Sequence, residues 1–244
     1  MIVSEVMSTR LITVTPDDTL SHAANLLRQY QFHHLPVVQA LETGGTPGTK
    51  YEARDSLLLL EGLLTSHDID LVVALSKQSS SGDLLQRPWQ ERHVVEVMHR
   101  ASVRVTPSTS VTAAAQIMVE RGLDCLPVVE YESLEQATAA PSPAVLVGLL
   151  TRSDLLMALA RSMGAFEPGM QLIITLPEGD LAPLAQTLLL AAELHIPVRS
   201  VIAAPLENGV PRVATVRLGT INPAPLLVRL QEAGIAYSFA DSTV

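Results

Sequence analysis

Two short segments place a threonine three residues before an aspartate, each directly after an apolar run. A Gly-Leu-Leu-Thr sequence ends at Thr65 and again at Thr151, and Asp68 and Asp154 follow. If a strand ends at the threonine and a helix begins after it, the first N–H groups of the helix can bind an anion. An aspartate one turn into that helix can accept two hydroxyls, such as those of a ribose. A single Thr-x-x-Asp is more often a helix cap, but its recurrence favours a pair of binding sites.

Three further patterns recur in the same order, which indicates two copies of one structural unit. Val-Met occurs at 6 and 97, Thr-Pro at 15 and 106, and Leu-Pro-Val-Val begins at 35 and 126, all 91 residues apart. The Thr-x-x-Asp segments are 86 residues apart, so one loop is shorter in the second copy. Duplicated units pack by pseudo-symmetry, and the crevices between them are natural ligand sites.

Each copy is predicted to fold as strand, helix, strand, strand and helix. The first strand is expected over 11–14, with Thr15 as the cap of the first helix and Pro16 at its first position. Gly122 is expected to end the equivalent helix of the second copy. Later strands are predicted at 35–38, 57–64, around Val129 and at 145–150, and later helices at 66–76 and 152–161. The buried helix faces are marked by apolar residues at helical spacing, Leu20, Ala23, Ala24 and Leu27 in the first copy and Val111, Ala114, Ala115 and Met118 in the second.

The tail beyond residue 169 is predicted to be a different unit with the order βαββαβ, which is that of a ferredoxin-like sheet. Long exposed loops are expected at 39–56 and 130–144, a linker at 76–92 and a second boundary at 161–170. The elements of the tail are predicted as strands over 172–176, 198–203, 213–218 and 235–239, a turn at Asn208-Gly209, a helix with Leu181, Leu184 and Leu188 on one face, and a helix from Asn222-Pro223 to Gly234.

Composition argues against several classes of function. With 48 % hydrophobic residues, 17 % charged residues and a net charge of −9, the chain lacks the clustered Lys and Arg of a nucleic-acid binder. Its histidines are scattered apart from one adjacent pair, so no metal site is predicted. No set of nucleophile and base and no phosphate-binding glycine loop indicates an enzyme. We therefore predict a non-enzymatic protein.

The single cysteine, Cys125, cannot form an internal disulfide, which favours a reducing, cytoplasmic setting. No partner motif accompanies it, so we interpret it as a partly buried structural thiol. The N-terminus lacks the pattern of a signal peptide, and the richest apolar segment, 181–194, is too short to span a bilayer. Neither a membrane nor a nucleic acid is expected as a partner.

The duplicated pattern resembles a pair of CBS domains, or Bateman module. The resemblance implies an intertwined pair of βαββα units whose two clefts bind adenine nucleotides (AMP, ADP, ATP or S-adenosylmethionine) and which regulate a partner. The site residues that it implies are Thr65, Asp68, Thr151 and Asp154 beside the ribose and phosphate, and Ile12 and Val103 beside the adenine.

The two copies differ where a phosphate would need positive charge. His33 and His34 precede Leu-Pro in the first copy, and in the resembled family a basic pair there reaches phosphates. An acid, Asp124, stands in the equivalent stretch of the second copy. Conversely, Arg152 follows the threonine of the second copy, where the first copy has Ser66. We therefore expect two unequal sites, with surface histidines and a solvated arginine as the alternatives.

The tail resembles an ACT domain, a small regulatory module that often binds amino acids at dimer interfaces. The resemblance rests on element order and on the turn 177–180, although Leu176 stands where that family has an aspartate. A CBS pair followed by an ACT-like domain resembles the acetoin-utilisation protein family. The expected domains are 1–78, 92–162 and 169–244, in an α/β (α+β) fold of tandem CBS domains and a ferredoxin-like ACT-type domain.

The favoured function is a non-enzymatic module that binds an adenine nucleotide between the CBS domains and transmits occupancy to a protein partner or an oligomer. One alternative is an oligomerisation module with vestigial clefts, and another is amino-acid sensing through the tail. A homodimer is expected, because helix faces and sheet edges both favour pairing.

Overall fold

The computed structural model of this protein describes residues 1–41, 57–78, 87–131, 143–203 and 209–239. It divides into two compact units, Met1–Leu155 and Leu156–Val244. The first unit contains both copies of the repeat up to the start of the last helix. The central parts of the predicted loops 39–56 and 130–144 and of the linker 76–92, together with Asn208, lie outside the described residues.

The elements of the two copies follow the predicted order from the first helix onward. The later strands at 35–38, 57–64, around Val129 and at 145–150 are confirmed, as are the helices at 66–76 and 152–161. In chain order the elements are α1 (Leu20–Tyr30), β1 (His34–Leu41), β2 (Leu57–Thr65), α2 (Ser66–Gln78), β3 (His99–Arg100), α3 (Val111–Arg121), β4 (Cys125–Tyr131), β5 (Ala144–Thr151) and α4 (Arg152–Ser162), with 3₁₀ helices at Val3–Glu5, Trp89–Glu91 and Val94–Glu96.

One sheet joins the two copies in the order β1-β2-β5-β4, with β3 paired to β2. The hairpins of the two copies have the same register, because His34 pairs with Thr65 and Cys125 pairs with Thr151. Strands β2 and β5 pair with each other in an antiparallel sense. The buried apolar residues of these strands form the core of each copy, Leu35, Val37 and Leu64 in the first and Leu126, Val128 and Leu150 in the second.

The predicted cap at Thr15, with Pro16 opening the helix, is wrong. The carboxylate of Asp18 accepts a hydrogen bond from the N–H of Thr15 at 2.6 Å, which holds these residues in a turn of their own. Helix α1 begins at Leu20, after the hydroxyl of Thr19 accepts a bond from the N–H of His22 at 3.2 Å. The predicted helix faces are confirmed, with Leu20, Ala23 and Leu27 buried on α1 and Ala114 and Met118 buried on α3, which ends at Gly122.

The predicted strand over 11–14 is also wrong. Within this extended segment, Val14 alone makes a bridge, a parallel one to Val37 of β1. The N–H of Val14 donates to the carbonyl of Pro36 at 3.1 Å, and its carbonyl accepts from the N–H of Val38 at 2.9 Å. Val105 repeats this bridge with Val128 of β4. The chain thus crosses the edge of each hairpin at one residue, which is too little contact for a strand.

The beginning of each copy packs on the other copy, as the resemblance implied. The N–H of Val3 donates to the carbonyl of Thr109 at 2.8 Å, and its buried side chain lies in the core of the second copy. The N–H of Val94 donates to the carbonyl of Asp18 at 2.8 Å, and its buried side chain lies in the core of the first copy. This exchange interlocks the two copies.

The second unit has the predicted order βαββαβ. Its antiparallel sheet has the order β7-β8-β6-β9, which is a ferredoxin-like arrangement. Leu184 and Leu188 pack against its core as predicted, but Leu181 precedes the helix and is exposed. No described helix in either unit is long and apolar enough to cross a membrane. The elements are β6 (Met170–Thr175), α5 (Ala182–Glu193), β7 (Val198–Ile202), β8 (Val213–Leu218), α6 (Ala224–Glu232) and β9 (Tyr237–Phe239).

Candidate functional site

The two Thr-x-x-Asp segments fold into the same hydrogen-bonded corner where a strand ends and a helix begins. In the first corner, Oδ2 of Asp68 accepts bonds from the N–H of Thr65 at 2.8 Å and from its hydroxyl at 2.7 Å. The threonine hydroxyl in turn accepts a bond from the N–H of Asp68 at 3.2 Å. In the second corner, Thr151 and Asp154 make the same three bonds at the same distances. Each threonine therefore fixes one carboxylate oxygen, and the other oxygen, Oδ1, can bind a further group.

The Oδ1 atoms of the two aspartates have different surroundings. Oδ1 of Asp68 lies 2.8 Å from Nε2 of His99, and Asp68 is 8 % exposed. Burial would raise the pKa of Asp68, but the hydrogen bonds from Thr65 and His99 outweigh it and hold the pKa below its ordinary value. Oδ1 of Asp154 has no hydrogen-bond partner among the described residues, and Asp154 is half-buried.

The glycine of each Gly-Leu-Leu-Thr run lies where the exchanged segment crosses the strand. A β-carbon on Gly148 would collide with the sulfur of Met7, and one on Gly62 would lie 2.6 Å from the carbonyl oxygen of His99. At Gly62 only a residue without a side chain permits this close approach of two backbones, whereas at Gly148 the side chain of Met7 fills the space. Ser8 follows Met7, so the crossing brings Ser8 to the second corner.

The second corner opens into a cleft of about 460 Å³, which is in the size range of small-molecule sites. An adjoining recess of about 130 Å³ shares Ser8, both adjacent histidines and Thr151 with this cleft. Ile12 and Pro36 line the recess. A polar end at Asp154 is therefore continuous with an apolar end at Ile12, and the two ends come from different copies of the repeat.

The histidine pair lines both parts of this cavity. Nδ1 of His33 lies 3.4 Å from the hydroxyl of Ser66. Burial lowers the pKa of His34 below its ordinary value, although the carboxylates of Asp124 and Asp68 act in the opposite direction. His34 is therefore neutral at pH 7 and adds no positive charge to the cleft.

Arg152 lines the cleft but is already paired. Its Nη1 lies 2.8 Å from Oδ1 of Asp124, and its Nε donates to the carbonyl of Leu123 at 3.0 Å. These contacts explain a cation at the start of α4, where it opposes the helix dipole. Arg10 lines the adjoining recess, and it has no ion-pair partner within the described ranges.

The cavity collects part of the predicted residue set. Thr65 and Asp68 form the first corner instead, and Val103 packs against the core of the second copy. Sequence reasoning missed Ser8 and Arg10, although the repeated Val-Met pair marks the segment that carries them. The predicted residues that line the cavity are Ile12, His33, His34, Thr151, Arg152 and Asp154.

Cys125 is buried beside the cleft-lining Asp124. Burial and the carboxylate of Asp124 raise the pKa of its thiol to about 12. The thiol therefore stays protonated at pH 7 and is a poor nucleophile. Across the ranges that the structure describes, no three side chains of His, Cys, Asp or Glu lie together as metal ligands would.

Comparison with known proteins identifies the repeat. The CBS domain family matches residues 3–48 and 94–161. The chain is 30 % identical over 143 residues to the CBS domain-containing protein YhcV of Bacillus subtilis (strain 168), and the alignment covers 59 % of this chain and 83 % of that protein.

Three solved structures also resemble the chain, all below 25 % identity and with TM-scores below 0.5. CBSX2 in complex with AMP has a TM-score of 0.43 and 22 % identity, and covers 66 % of this chain and 96 % of its own. The CBS domain pair of protein MJ0100, in complex with 5′-methylthioadenosine and S-adenosyl-L-methionine, has a TM-score of 0.46 and 20 % identity, and the match covers 66 % of this chain and 97 % of that one. A protein assigned to acetoin utilization, AcuB from Vibrio cholerae, has a TM-score of 0.46 and 24 % identity, and the match covers 69 % of this chain and 98 % of that one.

Proposed function

This chain belongs to the CBS-domain proteins, and we propose that its first unit is a non-enzymatic regulatory module that binds an adenosine-type ligand in the cleft at Asp154. The observation that carries the proposal is the hydrogen-bonding state of Oδ1 of Asp154. This oxygen is an acceptor in a half-buried carboxylate that lines the cleft, and it has no protein donor among the described residues. A carboxylate held in this way can accept both hydroxyls of a ribose.

The rest of the cavity supports a nucleoside. Ile12 and Pro36 offer an apolar recess for a flat base, at the end of the cavity away from the carboxylate. Arg10 lines the recess and Arg152 lines the cleft, so a negative group attached to the ribose can lie near a guanidinium, although Asp124 neutralises that of Arg152.

A regulatory role follows from the lining of the cavity, because residues of both copies contribute to it. Ile12 and His33 belong to the first copy, whereas Thr151 and Asp154 belong to the second. A ligand that contacts both copies stabilises the arrangement in which it fits, and this differential affinity can be transmitted to a protein partner in the cytoplasm.

The test is a binding panel of adenosine, AMP, ADP, ATP, 5′-methylthioadenosine and S-adenosylmethionine, measured by thermal shift and calorimetry. A ligand at about 100 times its Kd should add about 2.7 kcal/mol of stability. Asp154→Asn should weaken binding roughly 10- to 100-fold, since a hydrogen bond to a charged group contributes about 1.5–3 kcal/mol.

Asp68→Asn is the matched control, because it makes the same change in the equivalent corner of the first copy. It should leave the affinity of the Asp154 cleft within about twofold, a change well under 1 kcal/mol. The proposal fails if none of the six compounds binds, or if Asp154→Asn binds as tightly as the unchanged chain.

We also propose that the protein is a homodimer and that its ACT-like tail takes part in the pairing. The ferredoxin-like sheet ends at β7, which exposes Val198 and Val201, and α4 exposes Leu156 and Leu159. Light scattering should give about twice the 26.2 kDa of one chain. An amino-acid panel in the thermal-shift assay tests the alternative that the tail senses amino acids.

A further inference from the structure

The exchanged segments bring two different residues to the same structural position. Ser8 pairs with Leu149 of β5, and His99 pairs with Leu63 of β2. Because the two leucines are equivalent in the repeat, Ser8 and His99 are equivalent too. Each follows a methionine that packs on the glycine of the strand.

The two residues differ in their contact with the neighbouring aspartate. Nε2 of His99 lies 2.8 Å from Oδ1 of Asp68, whose other oxygen already accepts both bonds from Thr65. Both oxygens of this carboxylate are therefore occupied by the protein. Ser8 lines the open cleft at the second corner and makes no hydrogen bond to Asp154.

We propose that His99 masks the acceptor of the first corner, so that each chain binds one adenosine-type ligand, at Asp154, and that the Ser8/His99 position decides which corner is open. This inference rests on the proposed function. The His99 side chain is 71 % exposed, so removing its ring should uncover Asp68 without leaving a hole in the core.

The experiment counts sites by calorimetry on the full chain, with AMP and 5′-methylthioadenosine as probes. The unchanged protein should bind one molecule per chain and His99→Ser should bind two. Adding Asp68→Asn to His99→Ser should return the count to one. The reverse change, Ser8→His, should weaken binding at Asp154 by at least about tenfold, the effect of losing one hydrogen bond to a charged group.

Arg100→Ser is the control, since Arg100 is the exposed neighbour of His99 on β3 and should leave the count at one. Circular dichroism and the unfolding midpoint confirm that each variant is folded. Two sites in the unchanged chain, or a number of sites that His99→Ser does not increase, would overturn the masking role, as would weaker binding after His99→Ser.

The two proposals fail in different ways. If the unchanged chain binds neither probe but His99→Ser binds one, the Asp154 cleft is not the ligand site and the masking role stands. If neither protein binds either probe, there is no second site to uncover and the masking role is overturned as well.

Discussion

Nη1 of Arg152 lies 2.8 Å from Oδ1 of Asp124, so the arginine at the start of α4 is neutralised within the cleft. At the equivalent place in the first copy, the hydroxyl of Ser66 lies 3.4 Å from Nδ1 of His33. The repeat has therefore kept a contact between these two positions while changing its charges. The second copy has an acid and a base where the first copy has an imidazole and a hydroxyl, and the pair leaves little positive charge for a phosphate.

Asp124→Asn should increase the preference for AMP over adenosine. The substitution releases Arg152 and removes a carboxylate that repels phosphate. Both groups are more than half exposed, so the gain should be modest, roughly threefold, which is the range of an exposed ion pair. Calorimetry in low salt measures the ratio of the two affinities, and Asp17→Asn, an equal change of charge at an exposed site, should not alter it. An unchanged ratio would show that Arg152 does not face the phosphate.

The stability of the protein should fall as the pH decreases from about 6.5. Burial lowers the pKa of His34 in the folded state, so between the folded and unfolded pKa values the unfolded chain binds more protons. Stability is then present above the unfolded pKa and is lost as the pH falls through the folded one. His34→Gln should flatten this slope in denaturant titrations at several pH values without ligand. His22→Gln, on the exposed face of α1, should leave it as it is.

Asp68→Asn should destabilise the fold by about 1 kcal/mol at pH 7, the size of one lost hydrogen bond. Its carboxyl has a lowered pKa in the folded state because Thr65 and His99 donate to it. That stabilisation is present above the unfolded pKa of about 4 and is lost as the pH falls through the folded pKa. The difference between the two proteins should therefore shrink below about pH 4. A difference that stays constant down to pH 2 would contradict the role given to the charged carboxylate.

Val94→Ala should destabilise the first unit by about 2 kcal/mol, since it removes two buried methyl groups and leaves a cavity. Val94 is 0 % exposed and lies in the core of the first copy, to which its segment is donated by the second. Its neighbour Val95 is 50 % exposed, so Val95→Ala should cost less than about 0.5 kcal/mol. Chemical denaturation compares the two. Equal effects would argue against the interlocked arrangement.

Local patterns predicted the helices and hairpins well, because their causes are local. The spacing of Leu20, Ala23 and Leu27 fixes one apolar face, and that face is buried on α1. The prediction over 11–14 failed for a reason that spacing does not contain, whereas the failure at Thr15 has a local cause three residues along the chain. Asp18 bonds back to Thr15 before the helix can begin, and the edge of β1 receives the extended chain at Val14 alone.

In the candidate site, too, the local contacts could be predicted from the sequence and the long-range contacts could not. The repeated Thr-x-x-Asp could be read from the sequence as two corners, because each is closed by bonds between residues three apart. The sequence could not show that Ser8 lies at one corner and His99 at the other, because the residues that they contact lie far along the chain. Arg10 was missed for the same reason.

By itself the sequence determined that there are two copies of one unit, which segments form their later strands and helices, and which aspartate lies in the first turn of each final helix, since periodicity and turn chemistry act over a few residues. Only the tertiary structure decided that the copies exchange their first segments, and so which carboxylate is bonded within the protein and which is open. That choice depends on packing between residues more than thirty positions apart, and no local pattern encodes it.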